Sequence, residues 1–133
     1  MPVSNYNPTQ KTGLAIAAES LYLVNLLLLP GLAFALLLLL YLRERNRVSA
    51  FTLSHLQQTI SASIWAGILL FLMSLLIVLL GGVDGPYTWV IVIVYFTMAH
   101  STFILLGMVG LIKALAGQCW KFPLIGRPLP EDC

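Results

Sequence analysis

Residues 14–42 read LAIAAESLYLVNLLLLPGLAFALLLLLYL, an apolar run interrupted only by Glu19, Ser20, Asn25 and the Pro30-Gly31 pair. At 1.5 Å per residue, a straight helix of this length would reach about 43 Å, against about 30 Å for the hydrocarbon core of a bilayer. Proline removes a helix hydrogen bond and clashes with the preceding turn. We therefore expect one long membrane helix with a kink at Pro30. Two short re-entrant helices that meet at Pro30-Gly31 are the alternative.

Two further apolar runs have spanning length, at about residues 60–80 and 89–112, and the sequence GGVDGP between them predicts a tight turn. Apolar residues make up 59% of the chain and charged residues 9%, and the net charge is +2. A soluble domain carries roughly 25% charged residues, and nucleic-acid-binding domains are strongly basic. The composition excludes both classes and predicts an all-α integral membrane protein with three helices.

The cations predict the orientation of these helices. Six of the seven follow the first and third runs, and only Lys11 precedes the first; the six are Arg43, Arg45, Arg47, Lys113, Lys121 and Arg127. We expect the N-terminus outside and the C-terminus inside, in a multi-pass protein of the bacterial inner membrane. Residues 1–13 would form a polar arm, 14–117 the transmembrane domain and 118–133 a Pro-rich cytoplasmic tail. On that side a disulfide between Cys119 and Cys133 is disfavoured.

Short motifs close to the helix ends resemble a known family. Ser54-His55-Leu56-Gln57-Gln58 opens the second helix, Ile112-Lys113-Ala114-Leu115-Ala116-Gly117 closes the third, and Lys121-Phe122-Pro123-Leu124 follows. Over about residues 14–125 the chain resembles the Tic20-like group of small bacterial membrane proteins of unknown function. It departs from that pattern in its Leu-rich first helix and in Cys119-Trp120. The resemblance implies a three-helix bacterial membrane protein and assigns no reaction.

His100 is the clearest candidate for a functional residue, because ionisable side chains inside a bilayer are costly. It lies about 17 Å into the third helix, close to the bilayer centre. One interpretation is a ligand-binding site formed by His100, Tyr95, Thr97 and Asn25. The other is a neutral imidazole that hydrogen-bonds a neighbouring helix. We expect no cofactor within one chain, since His55 lies at a different depth, so that a haem or quinone would require a partner subunit.

Two other groups of polar residues have competing interpretations. Glu19, Tyr22 and Asn25 share a face of the first helix and predict either a polar seam or, for Glu19, a position at the outer headgroups, which we favour. The second group lies at the inner interface and predicts contact with a partner or with lipid headgroups: Arg43, Arg45, Arg47, His55, Gln58, Trp120 and Lys121. Ordinary interfacial solvation of His55 is the simpler alternative.

Small residues permit close approach of helices at Ala62 and Ala66, and at Gly107, Gly110 and Ala114. The sequence contains no Walker loop, HExxH, GxSxG or paired intramembrane carboxylates, so we expect no catalytic activity. The prediction is an accessory or structural subunit of a larger membrane complex, with a respiratory complex as one candidate, whose tail lies along a partner. A quinone-, lipid- or haem-binding element centred on His100 is the alternative, and the resemblance adds a translocon-like component. The expected partners are lipid and other membrane subunits, without nucleic acid.

Overall fold

A computed structural model describes residues 8–130 and Cys133, with side chains from Thr12 onward. Residues 1–7 of the predicted polar arm, the Lys11 side chain and residues 131–132 of the predicted tail lie outside the described residues. Four helices form the described part, which contains no strand: α1 (Pro8–Leu27), α2 (Leu32–Glu44), α3 (Ala50–Gly81) and α4 (Thr88–Leu115). One π-helical turn, Ile68–Leu72, lies inside α3. The all-α prediction is confirmed.

The predicted three-helix architecture with one kinked first helix is wrong, because α1 and α2 are separate helices that form a hairpin. Ala18 of α1 and Leu37 of α2 belong to one buried cluster with Leu56 of α3. Along a continuous helix the first two would lie about 28 Å apart. Gly31 reverses the chain with a φ of 87°, in the left-handed region that glycine adopts without strain. The alternative of two short helices that meet at Pro30-Gly31 describes this arrangement.

The turn between α1 and α2 satisfies its own backbone donors. The N–H groups of Leu28 and Leu29 both donate to the Val24 carbonyl, each at 2.9 Å. The Gly31 N–H donates to the side-chain oxygen Oδ1 of Asn25 at 2.9 Å, and Pro30 has no N–H to satisfy. Asn25 therefore closes the turn, in an environment where an unpaired backbone donor is costly.

The central helix is α1, which runs parallel to α3 and antiparallel to α4. Glu19 contacts His55 of α3, and Tyr22 clusters with Ala62 further along it. Along α4 the order is reversed, since Glu19 lies at Gly110 and Leu26 at His100. Both α1 and α3 therefore begin at the end of the bundle where α2 and α4 finish. We call this the basic end, because the six cations from Arg43 to Arg127 lie on the chain there. The predicted N-out and C-in orientation is not supported, since α1 begins where α4 ends.

Two of the described helices are long and apolar enough to span a membrane, α3 with 32 residues and α4 with 28. Their lengths are about 48 Å and 42 Å, whereas α2 reaches only about 20 Å. The turn that joins them is closed by Trp89, whose Nε1–H donates to the Val83 carbonyl at 3.0 Å. Beyond the tip of the hairpin, large apolar side chains of both helices are exposed, including Leu79, Leu80 and Val90. This apolar outer surface matches a lipid environment.

The tail after α4 folds back on the chain's own helices, where we had predicted an extended segment along a partner. Phe122 is fully buried, with its ring centroid 5.5 Å from that of Tyr22. Cys119 and Cys133 form a disulfide with a Cα–Cα distance of 6.1 Å, contrary to the expectation of two unpaired thiols. The return of the tail brings the two cysteines together, which their separation in sequence does not reveal.

Candidate functional site

A buried polar cluster lies close to the basic end, where α1, α3 and the start of the tail meet. The His55 Nδ1 atom is 2.6 Å from Oε1 of Glu19, and its Nε2 atom is 2.8 Å from the Gln118 carbonyl oxygen. Glu19 and His55 are both fully buried. The solvated interface predicted for His55 is therefore wrong, whereas the outer headgroup level predicted for Glu19 stays a prediction about depth in a membrane. The two side chains are buried because the hairpin and the tail together cover them.

The hydrogen bonds of His55 fix how many protons the pair holds. A carbonyl oxygen only accepts, so Nε2 carries a proton and donates it to Gln118. A second proton then lies between Nδ1 and Glu19, either on the imidazole as a donor to a carboxylate or on the acid as a donor to Nδ1. Both states leave the pair neutral overall, and a neutral, hydrogen-bonded pair is the form in which such groups are tolerated in an interior.

Glycines in α4 make room for the polar face of α1. A Cβ atom built on Gly110 would lie 2.5 Å from Oε2 of Glu19, and one on Gly107 would lie 2.4 Å from the Tyr22 ring. One turn before Gly107 on α4, the Phe103 carbonyl accepts a hydrogen bond from the Tyr22 hydroxyl at 3.0 Å. The predicted close approach at Gly107 and Gly110 is confirmed, and its function is to admit a carboxylate and a phenol.

The tail is attached to α3 by side-chain hydrogen bonds to its backbone. The Gln58 amide donates to the Arg127 carbonyl at 2.6 Å and accepts from the Phe122 N–H at 3.3 Å. The Ser61 hydroxyl donates to the Ile125 carbonyl at 2.7 Å. The polar face at the start of α3 thus faces the chain's own tail.

The residues predicted to contact a partner or lipid headgroups fall into two groups. Arg43, Arg45, Arg47 and Lys121 are exposed at the basic end and Trp120 is half-buried, whereas His55 and Gln58 are buried. The side-chain hydrogen bonds of these two buried residues are made to other residues of the chain. Their role is to hold the fold and the tail. Among the exposed cations, Arg43 has its Nε atom 3.7 Å from Oε1 of Glu44, and contact of these cations with headgroups stays a prediction.

A cavity of about 430 Å³ lies beside the tip of the hairpin, between α1, α2, α3 and α4. His100 and Asn25 both line it, so these two of the four predicted ligand-binding residues are brought together. Thr97 is exposed elsewhere on α4, and the Tyr95 hydroxyl donates to the Leu69 carbonyl in the π-helical turn. His100 itself has its Nε2 atom 3.0 Å from the Leu26 carbonyl oxygen, as expected for an imidazole bonded to a neighbouring helix.

The sequence analysis missed two functional features. The first is the pairing of Glu19 with His55, although the three-residue spacing of Glu19, Tyr22 and Asn25 did indicate a polar seam. The second is Ser63, a buried residue of the cavity wall whose hydroxyl has no hydrogen-bond partner among the described residues. Within the same described residues, no group of three or more His, Cys, Asp or Glu side chains is arranged to hold a metal ion.

These features define a small membrane protein with two helices of spanning length, a shorter helical hairpin and a polar interior at its basic end. The chain belongs to the magnetosome magnetite crystal formation protein family (MamF_MmsF), whose model matches residues 10–129. The Tic20-like resemblance is therefore wrong. Its motifs, such as His55 to Gln58 and Lys121 to Leu124, are the segments that attach the tail to α3. Comparison with curated proteins and with solved structures gave no match.

Proposed function

We propose that this chain is a non-catalytic accessory protein of the magnetosome membrane, which supports magnetite crystal formation as part of an assembly of membrane proteins. The family match over residues 10–129 supports the process and the membrane. It gives no support to a respiratory complex. A translocon-like role depended only on the Tic20-like resemblance and is withdrawn with it.

The observation that carries the accessory role is the division of the chain into a polar interior and an apolar exterior. Glu19, His55, Gln58 and Ser61 are all bonded within the chain. The outer surface of α3 and α4 presents large exposed apolar side chains instead, such as Phe71 and Val90. Such a surface suits lateral contact with lipid and with other membrane helices, and leaves few polar groups for chemistry on a substrate.

The same geometry supports a membrane arrangement. In this proposal α3 and α4 cross the bilayer, and α1 with α2 forms a re-entrant hairpin that enters from the basic end. The tip of the hairpin lies beside Leu70 and His100, within the apolar length of the spanning helices. The basic end faces the cytoplasm, in agreement with the excess of cations there. The magnetosome membrane is an invagination of the inner membrane. A location in the magnetosome membrane is therefore compatible with the predicted inner-membrane location.

The alternative function, a quinone-, lipid- or haem-binding element centred on His100, is favoured by a single observation. His100 lines a cavity whose volume lies in the range typical of small-molecule sites, about 300–1,000 Å³. Binding in this cavity is compatible with an accessory role, since neither requires catalysis.

The test of the accessory role uses a magnetosome-forming bacterium from which the native family member has been deleted. The full chain is expressed with a C-terminal tag, and a tagged, unrelated two-span membrane protein serves as the control. We expect enrichment in purified magnetosomes, recovery of crystal size by electron microscopy and at least one stoichiometric membrane partner after mild solubilisation. The proposal is contradicted if the solubilised protein has the size of one chain and its micelle and the crystals keep the size they have in the deletion strain.

A further inference from the structure

We propose that the cavity beside the hairpin tip binds the hydroxyl group of an uncharged, long-chain lipid alcohol. The inference narrows the alternative function centred on His100 and does not depend on magnetite formation, so its failure leaves the accessory role standing.

Three polar groups of the cavity lining have no partner among the described residues: Nδ1 of His100, the Ser63 hydroxyl and the amide nitrogen of Asn25. Since the Leu26 carbonyl only accepts, His100 donates through Nε2–H, and an imidazole with its proton on Nε2 has a lone pair at Nδ1. The Ser63 hydroxyl is buried and also has no partner, although serines inside helices commonly bond to a backbone carbonyl. The third polar side chain, Asn25, accepts from the Gly31 N–H through Oδ1, while its amide N–H groups have no acceptor among the described residues.

The rest of the cavity wall selects an uncharged, apolar ligand. Phe34, Phe71 and Phe96 contribute aromatic rings, and Leu70 and Ala66 contribute aliphatic surface. None of the lining residues carries a formal charge. A phosphate or a carboxylate would therefore be buried without a counter-charge, which is strongly unfavourable. The lining therefore favours a ligand that has an apolar body and one neutral polar group.

A hydroxyl fits this set of one acceptor, Nδ1 of His100, and two possible donors, Ser63 and Asn25, better than a carbonyl does. A hydroxyl donates to an imidazole nitrogen and accepts from a serine hydroxyl, whereas a quinone carbonyl accepts only and leaves Nδ1 of His100 unpaired. The cavity is partly open to the outside, and Leu28 and Leu32, which neighbour its lining residues in sequence, are exposed apolar side chains. A membrane-dissolved alcohol can therefore reach the cavity from the bilayer.

The test uses the full chain in phosphatidylcholine vesicles with two photoreactive probes. One is octadecanol with a diazirine in mid-chain, and the other is its methyl ether, which cannot donate a hydrogen bond. After irradiation, labelled peptides are mapped by mass spectrometry, with unlabelled octadecanol as competitor. We expect saturable labelling by the alcohol at the segments that contain Gly67 to Phe71 and Phe96 to His100, and about fivefold weaker competition by octadecyl methyl ether.

Three variants and a control complete the experiment. Ser63→Ala removes a hydroxyl that has no protein partner, so the fold is retained, and we expect octadecanol to compete about fivefold less well. We expect octadecanol to compete less well in His100→Leu too. Gly67→Leu extends a side chain from a position with no atom within 4 Å, and should abolish saturable labelling by filling the cavity. Ser74→Ala is the matched control, since that hydroxyl bonds the Leu70 carbonyl of its own helix.

Some results would overturn the inference. One is equal labelling by the alcohol and the ether. Another is an alcohol signal that is unchanged in Ser63→Ala and Gly67→Leu. A third is labelling spread over lipid-facing positions such as Leu79 and Val90 without saturation.

Discussion

Glu19 and His55 form a buried pair. Losing one member should destabilise the fold more than replacing both. Each is fully buried, and the 2.6 Å contact between Oε1 and Nδ1 supplies the shared proton that makes both tolerable. Removing one member leaves the other buried and unpaired, at a typical cost of about 3–5 kcal/mol, whereas replacing both by apolar residues is often close to neutral. At this scale the important quantity is therefore the coupling between the two residues.

We expect Glu19→Leu and His55→Leu each to lower the free energy of unfolding by about 3 kcal/mol. The double variant should lose clearly less than the sum of the two single losses, because neither buried side chain is left without the other and the Gln118 carbonyl loses its donor only once. The measurement is SDS-induced unfolding in detergent micelles, followed by circular dichroism. Ser74→Ala, in the exposed half of α3, is the control and should change little. Additive losses in the double variant would contradict a coupled pair.

Some features of the fold were predictable from single residues, whereas the contacts of those residues were not. Pro30-Gly31 indicated a break in the first apolar run, and Gly107 and Gly110 indicated close helix contact. The partners of these residues were not predictable, because Glu19 meets Gly110 and His55 only after α1 has turned back against both spanning helices. Pairings across 36 residues, as for Glu19 and His55, depend on the tertiary fold and leave no periodic pattern in one sequence.

At the scale of helices, the contact between α1 and α4 depends on two glycines. Gly107→Ala and Gly110→Ala would place a Cβ atom 2.4 Å from Tyr22 and 2.5 Å from Glu19. We expect each to lower the free energy of unfolding by about 1–3 kcal/mol, because the packed side chains must move apart. Gly13→Ala is the matched control, with no atom within 4 Å of the added carbon, and should stabilise α1 by about 0.5–1 kcal/mol. Equal effects in all three variants would contradict this packing.

Hydropathy predicted the spanning helices well and the first run poorly. The runs at about 60–80 and 89–112 correspond to the apolar parts of Ala50–Gly81 and Thr88–Leu115. For residues 14–42, a kinked helix and a hairpin require the same residues, namely apolar flanks with a proline and a glycine between them. The choice depends on whether Ala18, Leu37 and Leu56 pack together, which is a non-local contact that hydropathy does not measure.

For the whole molecule, two features of the basic end favour opposite compartments. Six cations favour the cytoplasm, whereas a disulfide between Cys119 and Cys133 favours an oxidising compartment. We give the cations more weight, because the tail does not depend on the disulfide. Phe122 is buried against Tyr22, and Gln58 and Ser61 bond the tail backbone independently of either cysteine. Two reduced thiols in the same positions would leave these contacts in place.

The hairpin then predicts that both chain ends lie on the cytoplasmic side, with the turn at Asp84 on the other side. Fluorescent-protein fusions at either end should fluoresce, and alkaline phosphatase should be active only when inserted after Asp84, because it folds in an oxidising compartment. A single kinked first helix gives a different pattern, since it carries the N-terminus across the membrane while the C-terminus stays inside. Phosphatase activity at the N-terminus but not at the C-terminus would therefore reject the hairpin. Activity at both ends would reverse the orientation and assign the disulfide to the oxidising side.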